Sequence, residues 1–236
     1  MSILSLFNDV VGVASHAVTA TAAGLAPVLG GASAAAAIVA CTMAVRLALV
    51  PLALAQVRAE RARTALAPKV ADLRRRHQGD AAALGRELTA LYRAEGVSPL
   101  AGCLPALAQW PVFSILYRLS VAANVGGHPN GLLAAHLLGV RLGARYPATL
   151  AAAGPFAPHA LVFGVLLAAL AAVAYGSVRR LRRTAPPAAD ASAVLARVLP
   201  FGTVAAAAVL PLATGLYLLT TTTWTLAERA VLYRLV

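Results

Sequence analysis

The sequence predicts an all-α, polytopic membrane protein with a five-helix transmembrane core and a cytoplasmic helical hairpin. Three observations predict it. Of its 236 residues, 60% are hydrophobic and only 12% charged, which is too apolar to leave the long uncharged runs in water. Several of those runs match the roughly 20 residues that a helix needs to cross about 30 Å of hydrocarbon. The basic residues, which give a net charge of +12, fall in blocks between the apolar runs, as they do in cytoplasmic loops. In a soluble chain that charge would point to nucleic acid, but this distribution argues against DNA as a partner.

No Lys or Arg precedes Arg46, so residues 1–32 lack the basic region of a signal peptide. The positive-inside rule leaves them outside the cell. Leu4, Phe7, Val11, Ala14 and Val18 recur at helical spacing, which predicts an amphipathic helix over Ser2 to Val18 lying on the outer surface. Residues 33–55 form the first span, running inward. Arg46 is its only charge, about 15 Å from the first polar position at the C-terminal end of the run.

Residues 56–99 alternate Arg with Glu and Asp and are far too polar to span. Leu66, Val70 and Leu73, then Leu84, Leu88 and Leu91, repeat at i, i+4, i+7 on either side of Gln78-Gly79-Asp80. That pattern predicts a hairpin of two helices with facing apolar stripes, Pro68 kinking or restarting the first arm. Residues 100–123 are the second span, which carries Pro105 and Pro111 as a helix bundle allows. An external loop, 124–158, is expected to hold a short surface helix around Leu132 to Leu138. The third span, 159–178, runs into Arg179, Arg180, Arg182 and Arg183, so residues 179–193 form a second cytoplasmic loop. A short fourth span, 194–210, turns outside near Pro211 into the fifth, 211–236, with the C-terminus inside.

The missing motifs narrow the function. The single lysine, Lys69, sits in Ala-Pro-Lys-Val, so there is no P-loop. The five histidines form no HExxH and no metal site, and neither a cofactor nor enzymatic activity is expected. Cys41 and Cys103 make no disulfide framework and read as packing residues. Glu228, near the inner end of the last span, is the only acidic residue in a span, which counts against a proton relay.

Polar residues inside the spans are more telling. Thr42 and Arg46 are four apart, hence on one helix face, while Gln109 and the run Thr220 to Thr223 mark the second and fifth spans. A guanidinium is never neutral in a protein, and one at mid-bilayer costs about 2.5–3.5 kcal/mol on insertion scales. With no carboxylate expected at its depth, Arg46 calls for a water-filled cavity. A small anion transporter or channel using Arg46 would meet that need as well.

The run Leu91-Tyr92-Arg93-Ala94-Glu95-Gly96-Val97-Ser98-Pro99-Leu100-Ala101-Gly102-Cys103-Leu104-Pro105, followed by Gln109-Trp110-Pro111-Val112-Phe113, closely resembles the signature of the YidC/Oxa1/Alb3 membrane protein insertases. Val45-Arg46-Leu47, Pro51-Leu52, Pro68, Pro211, Tyr217, Trp224-Thr225 and Leu232-Tyr233-Arg234 fit the same family. The resemblance implies a hydrophilic groove open to the cytoplasm and to lipid but sealed outside, in the cytoplasmic membrane of a bacterium. On it, Arg46, Thr42, Gln109, Tyr217 and Thr222 would face the groove. Leu218 stands where many members carry Tyr or Trp, Thr222 where Asn is common, and Ala213 where Gly is usual. The implied partners are nascent membrane proteins, membrane lipid and a Sec translocon. With only Arg229 and Arg234 against Glu228 near the last residue, ribosome docking is expected to be weak. It would rest on Arg74, Arg75 and Arg76 or on Arg179, Arg180, Arg182 and Arg183, and fall steeply with salt.

Overall fold

A glycine pair sets the first reversal of the chain. In the computed structural model, which describes residues 3–97, 114–115, 117–122, 124–125, 128–184 and 191–235, α1 (Ile3–Leu29) leads through a 3-10 turn (Gly30–Ala32) into α2 (Ser33–Ala48). Gly30 takes φ +51°, a conformation that glycine adopts without a steric cost. Thr21 Oγ1 then stands 3.6 Å from Cys41 Sγ, so residues equally far from the turn meet and α1 runs back along α2. Ala34, Ala35 and Ala37 are buried on α2, and their small side chains permit the close approach.

The N-terminal helix therefore differs from expectation in extent. Its helix continues to Leu29, and among the residues whose side chains are described Val11 and Val18 lie in the core with Ala14 and Ala22 packed on it. A helix lying on a membrane surface normally carries Lys or Arg on its polar face; α1 has none. Thr19 and Thr21 instead return their hydroxyls to the helix's own carbonyls.

The chain divides into two units, Met1–Ala48 with Val112–Glu228, and Leu49–Pro111 with Arg229–Val236. In the first, two short antiparallel pairs, β1 (Asn124–Val125) with β2 (His128–Pro129) and β3 (His136–Leu137) with β4 (Val140–Arg141), flank the one-turn helix α6 (Gly131–Ala134). Asn130 joins this region to the helical residues 117–121. Its amide donates to the carbonyls of Leu119 and Ala122, and its Oδ1 accepts the Leu132 N–H. The helix expected over Leu132 to Leu138 stops at Ala134, because Leu138 and Gly139 adopt φ +51° and +82°, the paired positive values of a type I′ hairpin turn.

After α7 (Tyr146–Ala153), three long helices follow: α8 (Pro158–Thr184), α9 (Ala191–Val209) and α10 (Leu212–Leu235). The first two amides of α10 donate to the carbonyls of Ala144 and Leu142, each at 2.9 Å, so the loop after β4 satisfies groups that a helix start leaves open. Gly215 faces Leu166 and Gly176 faces Leu226, so α8 and α10 run in the same direction, with Ala207 of α9 close to Gly215. Phe163, Leu166, Leu170, Leu212 and Tyr217 fill the core between them.

Among the described residues, two helical stretches are long and apolar enough to cross a membrane, Asn8–Ala48 and Pro158–Arg182, and Arg197–Val209 is a shorter apolar helix. Most of the expected second span lies outside the described residues.

In the second unit, α2 gives way at Leu49 to α3 (Val50–Ala65), where Pro51 stands in the first turn and supplies no N–H for a continuing helix. Pro68 likewise starts α4 (Ala67–Arg76). His77 to Asp80 lead into α5 (Ala81–Ala94), whose Ala83 N–H is capped by Asp80 Oδ1 at 2.8 Å. Leu66 is buried and Val70, Leu73, Leu84, Leu88 and Leu91 are half-buried, while Lys69 pairs with Glu95. The end of α10 belongs here too. Arg61 donates to the Tyr233 carbonyl and stacks over its ring at 5.4 Å, next to an Arg229–Glu60 pair at 3.6 Å.

Candidate functional site

Arg46 occupies the last turn of α2. Because the helix stops at Ala48, the guanidinium sits at its C-terminal end, where unpaired carbonyls favour a positive charge by about 0.3–1 kcal/mol. The side chain is half-buried between the exposed Val45 and Leu47. Its Nε and Nη2 both donate to one oxygen, Thr221 Oγ1, at 2.9 and 2.7 Å.

Thr221 is buried on α10. It lies one turn beyond Tyr217, which is almost wholly buried. A hydroxyl has one proton and two lone pairs. The Thr221 oxygen accepts both Arg46 N–H groups on its lone pairs. Arg46 and Thr221 thus join α2 to α10 through a polar contact. Glu228 lies about two turns further along the same face of α10.

The other residues singled out in the sequence take these positions. Thr42 lies on the Arg46 face, but its buried hydroxyl donates to the Ile38 carbonyl at 2.7 Å, so it is satisfied within α2. Thr222 donates to the carbonyl of Leu218 at 2.7 Å, and its neighbour Thr221 meets Arg46. One residue is about 100° of helix rotation, which separates the two roles. Tyr217 is buried on α10 one turn before Thr221, and Gln109 lies outside the described residues. A legible signal for Thr221 was its i, i+4 relation to Tyr217.

The basic clusters sit elsewhere. Arg74, Arg75 and Arg76 end α4, exposed, with Asp72 bound to Arg75 at 3.3 Å and to Arg76 at 2.6 Å. On α8, Arg179 and Arg182 are exposed and Arg180 is half-buried; the Arg183 side chain is outside the described set. Among the described residues, no group of three His, Cys, Asp or Glu is placed to hold a metal ion.

Comparison with known proteins gives this arrangement its context. Residues 25–236 match the family model of the 60Kd inner membrane protein. A membrane protein insertase YidC of Acidiphilium cryptum is 43% identical over 83 residues, 35% of this chain and 14% of that protein. One of Streptomyces avermitilis is 33% identical over 117 residues, 46% of this chain and 27% of the relative. One of Ralstonia nicotianae is 42% identical over 80 residues, 34% of this chain and 14% of its own length. The matched stretches are thus about a quarter or less of the relatives' lengths. With most of its residues matched by the family model, the chain belongs to the 60Kd inner membrane protein family, that of YidC and Oxa1.

Proposed function

We propose that this protein is a membrane protein insertase and chaperone that passes short polar tails of small membrane proteins through a hydrophilic groove centred on Arg46. The observation that carries the reading is the Arg46–Thr221 contact. An obligatory cation is held at the end of an apolar helix by the hydroxyl of Thr221, across from it on α10. The family membership and the names of the relatives support the same activity.

The mechanism follows from the energetics of the client. Its flanking tail must cross hydrocarbon, and a wet groove reaching partway shortens the dry path. The charge of Arg46, little screened beside a low-dielectric wall, draws an acidic tail inward while the apolar segment moves sideways into lipid. Burying about 20 apolar residues in the bilayer is itself strongly favourable, so the step needs no nucleotide. We place five spans around the groove, with the helices α4 and α5 in the cytoplasm, where Arg74, Arg75 and Arg76 make a weak contact with ribosomal RNA. Clients also arrive from a Sec translocon.

Reconstitution tests the proposal. Purified protein in liposomes, given a small membrane protein with an acidic N-terminal tail and no nucleotide, should carry that tail to a protease-protected position. Anion flux through the same liposomes without client insertion would establish a channel instead.

A further inference from the structure

The outward face of α8 is continuous from one end of the helix to the other. Leu161 is 56% exposed, Val165 71% and Tyr175 62%, with the exposed Ala168 and Ala172 in the turns between. The steps of four and three residues keep all of them on one side of the helix. Leu161 to Tyr175 covers about 21 Å at 1.5 Å per residue. Just before the helix, Phe156 is 89% exposed, so aromatic residues stand at both ends of an apolar strip that is a little under the thickness of a bilayer's hydrocarbon core. Aromatic residues favour those two levels in a membrane.

Arg179 and Arg182 continue the same phase and are both exposed, whereas Arg180 between them is turned toward protein and half-buried. They lie about 6 and 10 Å beyond Tyr175 along the axis, at the level of lipid headgroups and on the side that faces lipid. Three residues apart, they are neighbours on the helix surface, able to hold one phosphate between two guanidinium groups. Their apolar stems can lie along the helix while the charged ends reach outward.

We propose that Tyr175, Arg179 and Arg182 form a binding site for the headgroup of an anionic phospholipid in the leaflet where the C-terminal end of α8 emerges. Phosphate in that leaflet lies at the depth and on the side where the two arginines point, and the apolar strip above them accepts the acyl chains. Ribosomal RNA would have to approach the same groups from within the headgroup layer. The site depends on the chain lying in a membrane and is independent of the groove reading.

The test compares lipid association in bilayers. The full chain is reconstituted in phosphatidylcholine with traces of spin-labelled phosphatidylglycerol or spin-labelled phosphatidylcholine, and the motionally restricted fraction of each label is read by electron paramagnetic resonance. The wild type should prefer phosphatidylglycerol by about three-fold or more, as expected of two cations at a membrane surface. Arg179→Gln with Arg182→Gln should remove most of that preference and leave phosphatidylcholine association unchanged, which also reports an intact fold. Arg179→Lys with Arg182→Lys should keep most of it, and Arg75→Gln with Arg76→Gln all of it. A full preference in the Arg179/Arg182 glutamine variant would overturn the proposal. Ribosome co-sedimentation lost in that variant while its lipid preference stayed intact would assign the arginines to RNA.

Discussion

Arg46 and Thr221, 175 positions apart in sequence, meet through two N–H groups and a single hydroxyl oxygen at 2.9 and 2.7 Å. This contact places a fixed charge on α2 against the polar stretch of α10. A hydrogen bond to a charged group contributes about 1.5–3 kcal/mol. Thr221→Val should therefore lower unfolding stability in detergent by about that amount, with Thr221→Ser close to wild type. Thr222→Val, next door, should change stability by less than about 1 kcal/mol, because its hydroxyl bonds only to its own helix. Equal losses in the two valine variants would mean that Thr221 holds nothing that Thr222 does not.

The packing of α8 on α10 depends on Gly215. A Cβ added there would stand 2.6 Å from Leu166 Cδ2, and Leu166 is buried. Gly215→Val should cost about 1–3 kcal/mol through overpacking, measured by the same unfolding assay, and trimming the neighbour with Leu166→Ala should recover part of the loss. Additive losses in the double variant would show that the two residues do not meet.

Much of the secondary structure was legible because punctuation residues act locally. Pro51, Pro68 and Pro211 stand at or beside helix starts, and Gly79 takes φ +97° between α4 and α5. The stripe Leu66, Val70, Leu73 showed which side of its helix is covered, since period alone sets that face. Other features depend on tertiary contact. The stripe on α1 gave the buried face but could not say that α2 would bury it. Leu138 in a left-handed turn runs against its own preference, so an apolar run read as helix became a hairpin. The choice between Thr221 and Thr222 turned on one residue of helix phase, which four consecutive threonines cannot reveal.

The ribosome contact carries a test with a defined sign. Asp72 engages both Arg75 and Arg76, holding back part of the cluster's charge. Changing Arg74, Arg75 and Arg76 to Gln should abolish co-sedimentation with ribosomes at low salt, and Asp72→Asn should strengthen it by about two- to five-fold while steepening its salt dependence. Binding that ignores both changes would remove α4 from the contact.

Sidedness follows from the basic blocks. With Cys41 and Cys103 replaced by alanine, a cysteine at Leu138, which is 79% exposed, should react with an impermeant thiol reagent added to intact cells. One at Ala82, exposed at the start of α5, should react only after the membrane is opened. Labelling of position 82 in intact cells would reverse the proposed orientation.

The central claim is that the charge on Arg46 draws the client's tail into the groove, and insertion rates in liposomes test it most directly. Wild type, Arg46→Lys and Arg46→Ala are each given a client with an acidic tail and the same client with that tail neutralised. Arg46→Ala should slow the acidic client by about ten-fold or more, the loss of one charge interaction in a poorly screened site, and should leave the neutral client nearly unaffected. Arg46→Lys, still cationic, should retain much of the rate. Equal rates for wild type and Arg46→Ala on the acidic client would contradict the account.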